Sequence, residues 1–282
     1  MDPNRQRVVL ITGASSGIGK ACAQHLCQRG YRVYGTSRHA ADLPESSRSK
    51  AALSSAFELI PMDVTSDESV ERGIKLILAH EGRLDVVVNN AGYGLSGAVE
   101  DTGIEEARAQ METNFLGVTR VCHAVLPIMR QQGGGYLVNI SSIGGLIGIP
   151  FQGLYSASKF AIEGFTEALH AEVRPYGIRV VLIEPGDFRT GFTANRRKTH
   201  AAQGETIYGA RFAKALEVME SDETHGATPE KVGYLLERII TTRSPRLRYM
   251  VGPVSEKIAV GLKKVMPSRL FEWAIMKYYK VL

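Results

Sequence analysis

RVVLITGASSGIG, residues 7–19, runs from a strand through a glycine-rich turn into a helix. Its first half is a continuous apolar run with no polar alternation, the pattern of a strand covered on both faces. The turn reads Thr12-Gly13-Ala14-Ser15-Ser16-Gly17-Ile18-Gly19. Its G-x-x-x-G-x-G spacing differs from the G-x-G-x-x-G dinucleotide fingerprint, but the mechanics are shared. Glycines permit a tight turn and close backbone approach, and the opening helix presents unpaired N–H groups to a pyrophosphate. A glycine-rich turn alone is weak evidence; one placed between such a strand and a helix indicates nucleotide binding. No G-x-x-x-x-G-K-[ST] occurs in the chain, so phosphoryl transfer has little support.

Outward from this stretch, apolar runs alternate with helix-length segments. Strands are expected at 7–12, 31–37, 57–64, 84–92, 136–142, 178–186 and 247–252. Helices are expected at 18–29, 67–81, 104–130 and from Tyr155 to about Arg174. Continuous apolar strands joined through helices make a parallel sheet covered on both faces. The fold class is therefore α/β, a single-domain, doubly wound parallel sheet of the Rossmann type. Residues 1–254 are read as the nucleotide-binding domain and 255–282 as its amphipathic helical extension. Two stretches read as irregular: 38–56, with Pro44 and several serines, and the polar segment 187–226.

Composition bounds the function. At 282 residues, 44% hydrophobic and 22% charged, the chain can bury a full core. The lead MDPNRQ is polar, and no apolar run reaches the roughly 20 residues that span a bilayer. Three cysteines suggest no disulfide framework, and a cytoplasmic location is expected. Cys22 and Cys27 would point about 140° apart on a helix, so they and His25 are read as helix packing, with no metal expected. The net charge is +5. Residues 255–282 hold six basic side chains and two acidic ones, so that tail alone carries +4. The charge is local, and no nucleic-acid surface is expected.

Further residues carry chemistry. An NAD site wants a carboxylate at the end of the second strand. This chain has Ser37 and Arg38 there, and the next acidic residue is Asp42. Arg38 suits a 2′-phosphate, so NADP is the expected cofactor. Asp63 and Val64 follow the third strand, where they can flank an adenine; Asp63 is also placed to cap the next helix. Asn89-Asn90-Ala91-Gly92 puts small residues and amides after the fourth strand. Asn114 sits mid-helix, where asparagine is a mediocre helix former. NISSIGGLIGIPFQGLYSASK, 139–159, places Ser142 at a strand end and Tyr155 and Lys159 one helical turn apart, about 6 Å along the axis. An ammonium so close to a phenol is expected to lower its pKa and make Tyr155 a general acid/base.

Taken together, TGASSGIG, NNAG, Asn114, Ser142, Tyr155-x-x-x-Lys159 and Pro185-Gly186 resemble the short-chain dehydrogenase/reductase family in order and spacing, over roughly 7–191. The resemblance implies an oxidoreductase with a tetrad. Tyr155 would be the acid/base. Lys159 would lower its pKa and hold the nicotinamide ribose. Ser142 would orient the substrate oxygen, and Asn114 would hold a water leading toward Lys159. Thr190 matches the family position that contacts the nicotinamide carboxamide.

LYSASKFAIEGFTEAL resembles the 17β-hydroxysteroid and retinol dehydrogenase branch. With GLIGIPF (145–151), Tyr93 and Leu95 as apolar walls, the expected substrate is a small lipophilic alcohol or ketone: steroid-, retinoid- or long-chain-ketone-like. The alternative enzyme is a 3-oxoacyl thioester reductase, with Arg189, Arg196, Arg197 and Lys198 as a basic entrance. The alternative of another class is a non-catalytic NADP-sensing binding protein. Ala161, Gly164, Ala168 and Ala171 suit close helix packing, and the family usually pairs subunits through the Asn114 and Tyr155 helices, so at least a homodimer is expected. Pro267 divides the tail into two helices with apolar and basic residues on each. Two readings stand for it: packing on the domain or across a dimer, or a peripheral membrane contact.

Overall fold

Val8 and Leu10 face one side of the central sheet and Val9 and Ile11 the other. That alternation is why a continuous apolar strand feeds two cores at once. The computed structural model describes residues 6–40, 57–191 and 196–282. Seven strands form the sheet: β1 (Val8–Ile11), β2 (Arg32–Ser37), β3 (Glu58–Pro61), β4 (Val86–Asn89), β6 (Gly135–Ile140), β7 (Ile178–Pro185) and β9 (Arg248–Val251). The remaining two, β5 (Leu95–Ser96) and β8 (Arg197–Lys198), pair with each other above it. The large sheet has the order β3-β2-β1-β4-β6-β7-β9, and every pairing in it is parallel. Register is set by apolar partners such as Val9 against Val33 and Val86, and Leu137 against Val87 and Val180.

One face is covered by α2 (Asp67–Glu81), α4 (Gly117–Gln131) and α5 (Gly153–Val173), through Ile74, Ile77, Val121, Val125, Ile162 and Leu169. The other is covered by α1 (Gly17–Gln28) and α7 (Glu230–Thr241), through Cys22, Leu26, Val232, Leu236 and Ile239. His25 on α1 meets Glu237 at 2.7 Å and the edge of Tyr234, which is the helix packing read for that region. Strand order reverses between β1 and β4, and in an open α/β sheet the crevice at that point takes the ligand.

The helical region expected over 104–130 is present, as α3 (Ile104–Met111), a π-helical turn (Glu112–Leu116) and then α4. Asn114 sits within the π turn, a local widening of the helix often found at functional sites. Residues 187–226, expected to be irregular, contain β8 and the 17-residue helix α6 (Gly209–His225). Its buried side is Phe212, Ala215, Leu216, Met219 and Glu223. This is a helical stripe, but a glutamate and an alanine break the apolar signal that would reveal it. The tail folds as α8 (Val254–Val265) and α9 (Ser268–Tyr278), parted at Pro267 as expected. Asp42 and most of the stretch after Arg38 lie outside the described residues.

Candidate active site

The turn after β1 depends on glycine at three places. Gly13 and Gly17 have φ of 66° and 56°, which L side chains rarely adopt. A Cβ on Gly19 would stand 2.4 Å from both the Gly13 carbonyl oxygen and the Asn90 amide nitrogen. Gly19 thus serves packing, and it does not line the cleft. Ser16 caps α1 without a side-chain hydrogen bond, and the helix has no acidic residue in its first turn, so its leading N–H groups suit an anion.

A residue missed by sequence reasoning holds this turn. Thr12, buried at the end of β1, accepts hydrogen bonds from the Asn90 and Ala91 backbone N–H groups, each at 3.0 Å. Asn90 returns two from its side-chain amide, to the carbonyls of Thr12 at 2.9 Å and Gly13 at 3.0 Å. The loops after β1 and β4 are thereby one unit across the switch point.

A cleft of about 540 Å³ runs along the carboxyl ends of the strands. Gly13, Ser15, Ser16, Gly17 and Ile18 line its middle, with Asn90, Ala91 and Gly92 opposite. Ser37, Arg38, Asp63 and Val64 line one end. Asp63 accepts from Thr65, while Ser66 caps α2 by accepting from the Ser69 N–H, so the cap is not Asp63. Pro185, Gly186 and Thr190 line the far wall, and an added Cβ on Gly17 would meet Thr190 at 3.6 Å. The glycine cradle, the helix terminus and the volume of the cleft fit a dinucleotide.

Ser142, Tyr155 and Lys159 converge on the same cleft. The Ser142 hydroxyl, at the end of β6, accepts from the Gly144 N–H at 3.0 Å and hydrogen-bonds the Tyr155 phenol. Lys159 donates to the Ile140 carbonyl at 2.9 Å, and its Nζ lies 5.9 Å from the Tyr155 ring centroid. The expected depression of the tyrosine pKa is not found. Burial pushes the Tyr155 phenol up to about 12, and the Ser142 hydrogen bond offsets this only in part. Burial also draws Lys159 down to about 8. Desolvation outweighs the proximity argument because both groups are enclosed.

Asn114 does not line the cleft. Its carboxamide accepts from the Tyr93 N–H and donates to the Tyr93 carbonyl, both at 3.0 Å, and donates to Ser158 at 3.2 Å. Ser158 in turn donates to the Tyr155 carbonyl at 2.7 Å. Asn114 therefore ties the loop after β4 to the Tyr155 helix.

The end of the cleft beyond Tyr155 is where sequence reasoning fell short. Tyr93, Ile143, Ile149 and Met219 give it apolar lining, but Leu95, expected as a wall, is buried in β5 instead. Tyr279, from the tail, also lines it. So do three carboxylates: Asp187, Asp222 and Glu223. Burial and the neighbouring Glu256 carboxylate push Asp187 up to about 8, and burial raises Glu256 as well. Glu256 reaches in from α8, accepting from the Asp187 N–H at 3.2 Å; a Cβ on Gly186 would strike it. Arg196, expected at a basic entrance, is buried against Glu223. Arg197 lies over the Tyr93 ring, 4.4 Å from its centroid. Among the described residues no three His, Cys, Asp or Glu side chains are placed so that they could hold a metal ion.

A sheet of this order, a glycine cradle at its switch point and an enclosed Ser-Tyr-Lys group define a nucleotide-dependent oxidoreductase of the doubly wound class. Residues 7–201 match the family model described as short chain dehydrogenase. The chain is 42% identical over 275 residues to a 3-ketodihydrosphingosine reductase of Bacteroides thetaiotaomicron, covering 98% of each protein. A crystal structure of a short-chain dehydrogenase from Streptomyces avermitilis superposes with a TM-score of 0.80 at 34% identity, covering 97% of this chain and 98% of that one. An alcohol dehydrogenase from Thermococcus sibiricus, solved with 5-hydroxy-NADP, gives a TM-score of 0.71 at 26% identity, covering 89% and 97%. The chain belongs to the short-chain dehydrogenase/reductase family and is an oxidoreductase of CH–OH and keto groups.

Proposed function

We propose that the chain uses NADPH to reduce the keto group of a long-chain ketone bearing a neighbouring amine, as in a 3-keto sphingoid base. The observation that carries this is the far end of the cleft, where Asp187, Asp222 and Glu223 share with Met219 and Tyr279 the space beside Tyr155. Glu223 already has Arg196 and Asp222 accepts from Tyr278, but burial sets the Asp187 and Glu256 carboxyls against each other, and a plain steroid or retinoid ketone brings no charge to offset them. An ammonium beside the carbonyl would pair with them and let Asp187 ionise. The relative named a 3-ketodihydrosphingosine reductase supports the same chemistry, because that compound joins a ketone, an amine and an alkyl chain.

NADPH supplies the hydride when bound. The chain's own groups do the rest. The α1 terminus and the Gly13–Gly19 turn would hold the pyrophosphate, and Arg38 the 2′-phosphate. Ser142 would hydrogen-bond the substrate carbonyl oxygen. Tyr155, protonated at neutral pH, would give that oxygen its proton, and Lys159 would hold the ribose and stabilise the phenolate left behind.

A free 3-keto sphingoid base, its N-acetyl derivative, a steroid ketone and a 3-oxoacyl thioester, compared by loss of NADPH absorbance, test the substrate. The free amine is expected to exceed its N-acetyl form in kcat/KM by roughly 10–150-fold, the range of one charged hydrogen bond. Equal rates would defeat the amine reading, preference for the thioester would favour acyl reduction, and binding without turnover would favour a sensor. Arg38→Asp is expected to lower kcat/KM with NADPH by about 10–150-fold and to raise it with NADH. Wild-type protein that uses both equally would remove NADP selection from Arg38.

A further inference from the structure

The tail is two-sided. Its inner side is committed to the catalytic domain: Glu256 meets the Asp187 N–H, Tyr278 donates to Asp222 at 2.7 Å, and Val281 is buried against Ala215 and Met219. Its outer side has no such commitment. Val254, Ile258, Leu262 and Val265 fall on one stripe of α8 and are 70, 56, 42 and 79% exposed. Leu270 and Trp273 on α9 are 49 and 47% exposed. A helix on a soluble protein turns its apolar stripe to the core; here the buried Val260 and the exposed stripe lie on different sides of the same helix.

Charge says what this face fits. Lys257 and Lys264 lie about 100° round the helix from the centre of the stripe, between it and the inward side, where they act on the Glu256 and Glu184 carboxylates. Arg269 is exposed on α9, and the Lys277 ammonium stands over the Trp273 ring at 5.0 Å. Of the tail's two acidic residues, Glu256 is turned inward, which leaves Glu272 on the exposed surface. An isologous contact with a second copy would set these cations against their own kind. An anionic surface with an apolar interior complements them.

We propose that the outer face of α8 and α9 docks on an anionic lipid bilayer. The stripe and Trp273 enter the headgroup boundary, and the basic residues meet lipid phosphates. Tyr279, from the same tail, lines the substrate end of the cleft, so docking sets that end beside the bilayer. The surface argument does not depend on which ketone is reduced.

Trp273 is the chain's one tryptophan, so its emission reports docking directly. With vesicles of equimolar phosphatidylglycerol and phosphatidylcholine at low salt, blue-shifted emission and co-sedimentation are expected. Vesicles of phosphatidylcholine alone, or high salt, should weaken binding by at least about tenfold. A double Ile258→Glu, Val265→Glu variant should lose binding by a similar factor while keeping the wild-type Tm, because both side chains lie outside the core. The proposal is overturned if the intact protein gives no shift and stays in the supernatant at low salt. It is equally overturned if the variant binds like wild type, or if light scattering shows that the variant dissociates a dimer and leaves lipid binding unchanged.

Discussion

Tyr155→Phe is expected to lower kcat for ketone reduction by about 10²–10⁴-fold and to leave NADPH affinity within a factor of about three. The ring volume is kept, so the packing of this buried α5 residue against the loop after β6 is kept with it. What goes is the hydroxyl and its bond to Ser142, which still has the Gly144 N–H as a partner. The pH profile separates loss of the proton donor from a distorted site. Burial raises the phenol to about 12, so at neutral pH Tyr155 carries its proton and reduction is flat with pH on this account. Oxidation of the alcohol needs the phenolate, whose population grows about tenfold per pH unit below that pKa. kcat/KM for oxidation should therefore rise with pH in the wild type, and the variant's residual rate should not. Cofactor binding is read by quenching of protein fluorescence, and chemistry by single-turnover absorbance. A variant that retains a tenth of wild-type turnover, or that loses NADPH binding along with turnover, would remove Tyr155 from the role of acid/base.

What was legible in the sequence was what short-range pattern controls. VVLI, VVVN and YLVNI are apolar without alternation, so their burial on both faces followed from the residues themselves. The glycines at 13, 17 and 19 announced a turn because few other residues tolerate such φ values and contacts. Pairings between distant segments were not legible. Asp187 and Glu256 are 69 positions apart and meet because α8 folds back across the end of β7. Arg196 reads as a surface cation on any hydropathy scale, yet Glu223 on α6 gives it a buried partner. Thr12 looked like the last residue of a strand, and only the β1–β4 crossing shows its hydroxyl holding a second loop. The Tyr155–Lys159 spacing gave the geometry correctly but the wrong sign for the tyrosine shift. Spacing reports proximity, and the desolvation that outweighs it comes from the whole fold.

That desolvation makes a second prediction, of opposite sign for activity and stability. Lys159→Met should abolish most turnover, by about 10²–10⁴-fold, and weaken NADPH binding, because it removes the ammonium beside Tyr155 and the proposed ribose contact. The same change should relieve the folded protein of a buried charge. Lys159 has a pKa of about 8 in the folded chain against an ordinary 10.5, a difference worth roughly 3 kcal/mol. Below pH 8 the lysine is charged in both folded and unfolded states, and the wild type bears that full cost. Between about 8 and 10.5 the folded state sheds its proton while the unfolded state keeps it, so wild-type stability gains on the variant as pH rises. Above 10.5 both states are neutral and the relief from this source has vanished. Against the gain stands the Ile140 carbonyl, which loses the 2.9 Å hydrogen bond from Lys159 at a cost of about 1–3 kcal/mol. That loss is nearly independent of pH, so the net value at pH 7 is small, while its change with pH is set by the lysine alone. Denaturant melts of both proteins at pH 7 and pH 9.5 isolate it, since the other titrating groups cancel in the difference. The variant's stability relative to wild type should fall by about 1–2 kcal/mol between the two. A difference that does not change with pH would mean that Lys159 keeps an ordinary pKa in the folded chain, through hydration or a counter-charge that its enclosed position beneath Tyr155 does not show.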